Sequence, residues 1–140
     1  KLSCISSSMN LIKIWTAESQ KNESIYTLIE NFYILLRSDN WIKDYIFWEL
    51  ELFKALGYDL DFNNLVYEKI IDNKKHYISR SLTEKKIVPN FLVDRNHSFV
   101  DIKTLLIGLK IISDYLEKSI LKPNNLNQPK SRLEFIDTLK

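Results

Sequence analysis

The sequence predicts a mainly α-helical domain of about five helices with a small β-hairpin or meander inserted near its middle. Three observations lead there. Apolar residues recur at steps of three and four through residues 25–36, 41–56 and 101–121, as on one face of a helix. Between the second and third runs, β-branched and aromatic residues take over in "LVYEKII" and "HYISRSL", separated by the turn-forming "DNKK". Finally, 140 residues that are 45% hydrophobic and 27% charged can build one core, so residues 1–140 read as a single domain.

The elements follow in order. Leu2, Ile5, Met9 and Ile12 make one helical face that closes near Trp15, and the polar "TAESQKNES" links it onward. Ile25, Leu28, Ile29, Phe32, Leu35 and Leu36 form the stripe of a second helix, with Ser24 or Asn22 as its N-cap. "RSDN" ends it, and Asp39 or Asn40 can cap the third. That third helix carries one stripe of Trp41, Tyr45, Trp48, Leu52 and Ala55, and a second of Ile42, Ile46, Phe53 and Leu56. A helix apolar over so much of its circumference needs neighbours on two sides. Gly57 suits the left-handed residue that stops it, since no Cβ clashes there. Tyr58, Leu60 and Phe62 then alternate with aspartates as an extended exit.

The β insertion spans 66–88, its third short run being "KKIV" before Pro89, and "PNFLVDRNHSF" reads as irregular. A long helix follows over 101–121, striped by Ile102, Leu105, Leu106, Leu109, Ile112 and Leu116. Gly108 inside it costs up to about 1 kcal/mol in propensity, which points to close packing. "KPNNLNQP" is a loop, and Ser131 to Glu134 is a capping-box pattern starting a terminal helix at Phe135.

Charge is uneven. Residues 1–65 carry a balance of −3 and residues 66–140 a balance of +5, within a net charge of +2. A basic rear half can meet phosphates or an acidic peptide. Ala occurs only at positions 17 and 55 while Ile, Lys and Asn abound; that bias looks compositional, so raw lysine number says little about nucleic acid. Cys4 is the only cysteine, which rules out an internal disulfide and zinc-like cysteine spacing and fits a reducing cytoplasm. No run of about eighteen apolar residues exists to span a membrane. The chain begins at Lys1 rather than Met, which leads us to expect further sequence upstream.

No catalytic constellation stands out, and the chain reads as a non-enzyme. His76 and His97 lie apart from any cysteine or paired carboxylate, and two glycines, Gly57 and Gly108, cannot build a phosphate loop. Glu49 is the residue most at odds with its surroundings, because a carboxylate among Ile42, Tyr45, Ile46, Phe53 and Leu56 is costly unless paired. Arg132 is the candidate for a structural ion pair with it; partial exposure at the edge of the stripe is the alternative. The partner- or DNA-binding candidates are Arg80, Lys85, Lys86, Lys122, Lys130 and Arg132. An acidic peptide asks for an apolar groove with one or two cations at its rim, which suits a helical domain better than DNA does.

"WELELFKALGYDLDF", a short β segment and "LKPNNLNQPKSRLEF" in succession resemble the C-terminal part of the bacterial recombination-mediator family RecO. The matching positions are Glu49, Leu50, Leu56, Gly57, Tyr58, Lys130, Ser131 and Arg132, within a resemblance over most of 24–136; residues 1–23 match only as a helix. The resemblance implies an N-terminal OB barrel ahead of the helical domain, which this chain does not include. It implies a zinc finger in many members at the hairpin, but the four ligand cysteines are missing here, so no cofactor is expected. Ile46 and Phe47 stand where some members have arginines, which departs from a partner contact made by cations there.

What the resemblance further implies is DNA repair and homologous recombination after DNA damage, in the RecFOR pathway of the bacterial cytoplasm and nucleoid. The domain would dock the acidic C-terminal tail of the single-stranded DNA-binding protein, work with RecR and DNA, and support RecA loading and strand annealing. Lys122, Lys130 and Arg132 would supply a positive rim for the tail. The alternative is a helical DNA-binding or regulatory module of another family, though no helix shows the Arg, Lys, Asn or Gln richness of a recognition helix.

Overall fold

The structure, a computed structural model, describes residues 1–16, 23–55, 57–58, 60–80, 87–95 and 99–140, with 14–16 and 23–25 described by backbone alone. Seven α-helices and a three-stranded antiparallel sheet occupy these residues. The helices are α1 (Leu2–Thr16), α2 (Glu23–Leu35), α3 (Trp41–Ala55), α4 (Phe62–Leu65), α5 (Asn90–Asp94), α6 (Ile102–Leu116) and α7 (Lys130–Thr138). The strands are β1 (Val66–Ile71), β2 (Lys74–Ser79) and β3 (Ile87–Val88), in the order β1-β2-β3. The mainly α class with a small β insertion therefore holds. No helix among the described residues is long and apolar enough to cross a membrane.

The sequence's double stripe makes α3 the centre of the fold. Tyr45, Ile46, Leu52 and Phe53 are fully buried, and Trp48 and Leu50 nearly so. On one side α2 presents Leu28, Phe32 and Leu35; the Trp48 indole donates to the Leu28 carbonyl at 2.7 Å and its ring tilts against Phe32 at 5.1 Å. On the other side lie α6 and α7, where Phe135 meets Tyr45 edge-on at 4.9 Å. Phe47, at a position where arginines were expected in some relatives, packs instead on Phe91 of α5.

Gly57 stops α3 as its composition suggests. Its φ is +91°, and the N–H groups of Gly57 and Tyr58 bond back to the carbonyls of Lys54 and Phe53 at 3.0 and 2.8 Å. This crossed pair satisfies two of the carbonyls that a helix end leaves free. The alternation that follows is shorter than expected: Phe62 opens α4, because the Asp61 carboxylate accepts from the Asn63 N–H and caps a helical turn.

In the hairpin, Asp72 and Asn73 alone form the turn, with φ of 53° and 62° and Ile71 paired to Lys74. Two consecutive left-handed residues are what a two-residue hairpin turn with the right twist requires. The sheet is not free-standing. Val66, Tyr77 and Val88 are buried, and the Tyr77 hydroxyl donates to Asp94 of α5 at 2.7 Å.

Several boundaries differ from the sequence reading. The irregular "PNFLVDRNHSF" contains α5, which Pro89 precedes and Arg95, left-handed at φ 47°, ends. The helix over 101–121 becomes a π turn at Glu117–Leu121 and a 3-10 turn at Lys122–Asn124, so the expected loop is partly helical. In α2, Ser24 lies inside the helix and cannot be its cap, while Asn22 lies outside the described residues. The terminal helix starts at Lys130, not Phe135, and no capping box forms. Ser131 instead donates to the Ser6 carbonyl (3.4 Å) and accepts from Asn10 (2.7 Å), tying α7 to α1. A tertiary partner outcompetes the local cap.

Candidate functional site

A buried polar centre ties the helices together. Glu49 and Arg132 are both fully buried. They form a two-pronged ion pair: Nε to Oε1 and Nη2 to Oε2, each 2.9 Å. The third guanidinium nitrogen donates to the Ser113 hydroxyl at 2.6 Å and to Gln128 at 3.3 Å. Tyr45 donates to Glu49 at 2.8 Å, and Ser7 meets the Tyr45 hydroxyl at 2.9 Å. One network thus stitches α1, α3, α6, α7 and the preceding loop, with no unpartnered buried side-chain polar atom among the described residues.

The electrostatics follow from that burial. Burial disfavours the charged guanidinium, but the adjoining Glu49 carboxylate outweighs it and raises the pKa of Arg132. Burial, then the Glu49 charge, pushes Tyr45 well above its ordinary 10.0. The Cys4 thiol is pushed up to about 12 by the same two causes in the same order.

This geometry corrects one expectation outright. Arg132 is no part of an exposed positive rim, because a guanidinium whose prongs are spent on Glu49 inside the core cannot reach a partner. The other candidates scatter. Arg80 follows β2 and bonds through Nε to the Val66 carbonyl at 3.0 Å. Lys85, Lys86 and His97 lie outside the described residues. Lys122 is exposed on the 3-10 turn, and Lys130 is exposed at the start of α7, 3.7 Å from Glu134.

What the structure brings together instead is a groove of about 630 Å³ between α6 and α7. Leu106, Ile107, Leu133 and Ile136 supply apolar wall, and Lys110 and Lys140 supply cations beside it. Ser113, the hydroxyl held by Arg132, also lines the groove, so the buried pair fixes its two walls relative to one another. Asp137 is the one acid among the lining residues. It pairs with Lys140 at 3.2 Å, yet both side chains are largely exposed, so water and salt screen that contact. Sequence reasoning passed over Lys110 and Lys140. The available signal was an apolar residue and a lysine three or four apart on each helix, Ile107–Lys110 and Ile136–Lys140, the spacing of a helical face.

A mainly helical domain with a small antiparallel sheet and a cation-flanked apolar groove is the class this arrangement defines. The family described as "Recombination protein O C terminal" matches residues 1–89, well over half of the chain, and the chain belongs to that family. The match takes in α1 to α4 and the sheet; α6, α7 and the groove lie beyond it. A protein named DNA repair protein RecO, from Rhodospirillum centenum, is 20% identical over 151 residues, covering 98% of this chain. The chain spans about 60% of that relative's length. No solved structure matches.

Proposed function

We propose that this chain is a non-enzymatic docking domain in DNA repair and homologous recombination, holding the acidic C-terminal tail of the single-stranded DNA-binding protein. Family membership supports the repair role. The observation that carries the docking is the α6–α7 groove, whose apolar walls lie beside Lys110 and Lys140. An amphipathic acidic tail would bury its apolar side chains against Leu106, Leu133 and Ile136 and set its carboxylates near the two ammonium groups. In this reading the domain works with RecR, supports RecA loading and strand annealing at the bacterial nucleoid, and meets DNA through the exposed Arg80, Lys122 and Lys130. Its sheet stands on side-chain packing rather than on a metal.

The test is a fluorescence-anisotropy titration of the domain with a labelled tail peptide. Reversing both groove cations, Lys110→Glu with Lys140→Glu, should weaken binding at least tenfold and flatten its dependence on salt. Reversal at Lys122 and Lys130 should do less. Unchanged affinity in the Lys110/Lys140 variant would overturn the assignment.

A further inference from the structure

Ile107, half exposed on α6, lines the groove between α6 and α7 and also a second cleft, on the sheet side of the same helix. That second cleft has a volume of about 640 Å³, and Ile87, Pro89, Phe91 and Phe99 supply much of its wall. Phe99 is 86% exposed and Ile87 54% exposed, an unusual amount of apolar surface for two neighbours of one cleft. The two spaces differ in charge. Lys110 and Lys140 flank the first, whereas the second has Asp101, which accepts from the Thr104 hydroxyl, and His76, with no lysine or arginine among its described lining residues.

Resting on the docking reading above, we infer that the two spaces form one track. A single extended peptide crosses α6 over Ile107. Its acidic, apolar end lies between α6 and α7, and its preceding residues, neutral or basic rather than acidic, lie against Phe99 and Ile87. Continuity at Ile107 argues for one occupant of both spaces, and the change of charge along the track sets the direction in which it lies. Crossing a helix about 10 Å wide takes about three extended residues at roughly 3.3 Å each, so the whole segment is about eight to ten residues long. Selectivity follows from the same arrangement. Acidic residues early in the segment would face Asp101, and like charges brought together oppose binding.

The experiment uses two labelled synthetic peptides, an acidic-apolar pentapeptide and the same peptide extended by five neutral residues at its N-terminal end. Each is titrated against the unaltered chain and against Phe99→Ser with Ile87→Thr, where threonine keeps the β-branching that β3 favours. Both altered side chains are substantially exposed, so melting should hold steady and serve as the control. The expected result is about tenfold tighter binding of the long peptide, a gain lost in the variant while the short peptide is unaffected. A short peptide that binds while the extension adds nothing, or adds the same in the variant, overturns the track and leaves the groove reading intact. A long peptide that alone binds, sensitive to Phe99, keeps the sheet-side cleft and overturns the α6–α7 groove. No binding of either peptide overturns both.

Discussion

Replacing Arg132 by methionine should unfold this domain more readily than any change on its surface. In the native fold the Glu49 carboxylate, fully buried, takes both prongs of the guanidinium at 2.9 Å. Methionine would leave that charge with one neutral donor, the Tyr45 hydroxyl at 2.8 Å, and would strip Ser113 and Gln128 of their shared partner. Removing one member of a buried pair typically costs about 3–5 kcal/mol. Total stability for a domain is about 5–15 kcal/mol, so the loss is a large fraction of the whole. In urea, with a slope of about 2 kcal/mol per molar, the midpoint should fall by roughly 2 M; in a thermal scan the drop should be on the order of 10 °C. Glu49→Leu should behave alike, by leaving a buried cation. The double variant Glu49→Leu with Arg132→Met removes both charges and should recover much of the loss, because apolar pairs of similar volume substitute well for buried ions. Circular-dichroism urea titrations of the four proteins read this cycle. A single-variant loss below about 1 kcal/mol, or a double variant as unstable as the sum of the singles, would refute the reasoning.

Stability should fall in alkali, and Cys4 supplies part of the reason. Its folded pKa of about 12 lies above the unfolded value of 9.0, so its contribution is complete below pH 9 and is lost as pH rises toward 12. Within that window the unfolded state binds fewer protons, giving a slope on the order of 1 kcal/mol per pH unit that Cys4→Ala should reduce; urea midpoints at pH 8, 9 and 10 check it. Tyr45, also raised, should steepen the loss above pH 10. Gly108→Ala should destabilise by about 1–2 kcal/mol despite better helix propensity, because the new Cβ would stand 2.7 Å from the buried Phe91 ring; thermal melting compares it with the unaltered chain. Gly57→Ala, with open space around it but φ at +91°, should cost about 1 kcal/mol by backbone strain alone, seen in the same melts. A chelator should leave the melting curve of the sheet-bearing domain unmoved.

The sequence made the helices plain because three of them carry stripes that only a helix can align, and α3 is central as its double stripe demands. Gly57 and the Asp72–Asn73 turn were legible for a related reason, since local backbone chemistry decides them. Glu49 was legible as an anomaly: a carboxylate on an apolar face implies a cation, and Arg132 answers it. The same reasoning misplaced Arg132 on a binding rim, because a charge near a turn looks exposed until its tertiary partner is known. Ser131 failed likewise; its capping-box pattern was local, while its actual contacts lie on α1, more than a hundred residues away. The five-residue α5 was too short to show a period. The groove was hidden in a different way. Lys110 and Lys140 are thirty residues apart and each looks like an ordinary solvated lysine, so only the packing of α7 beside α6 makes them one site.

Amide chemical-shift mapping of the isotope-labelled chain, with the acidic tail peptide added stepwise, tests the docking claim where it is most specific. With a tail peptide of five residues, perturbations should concentrate on 106–113 and 133–140, sparing α2 and the Asp72–Asn73 turn. A spectrum that does not move, or one that moves around Arg80 and Lys122 while α6 and α7 stay still, would contradict it.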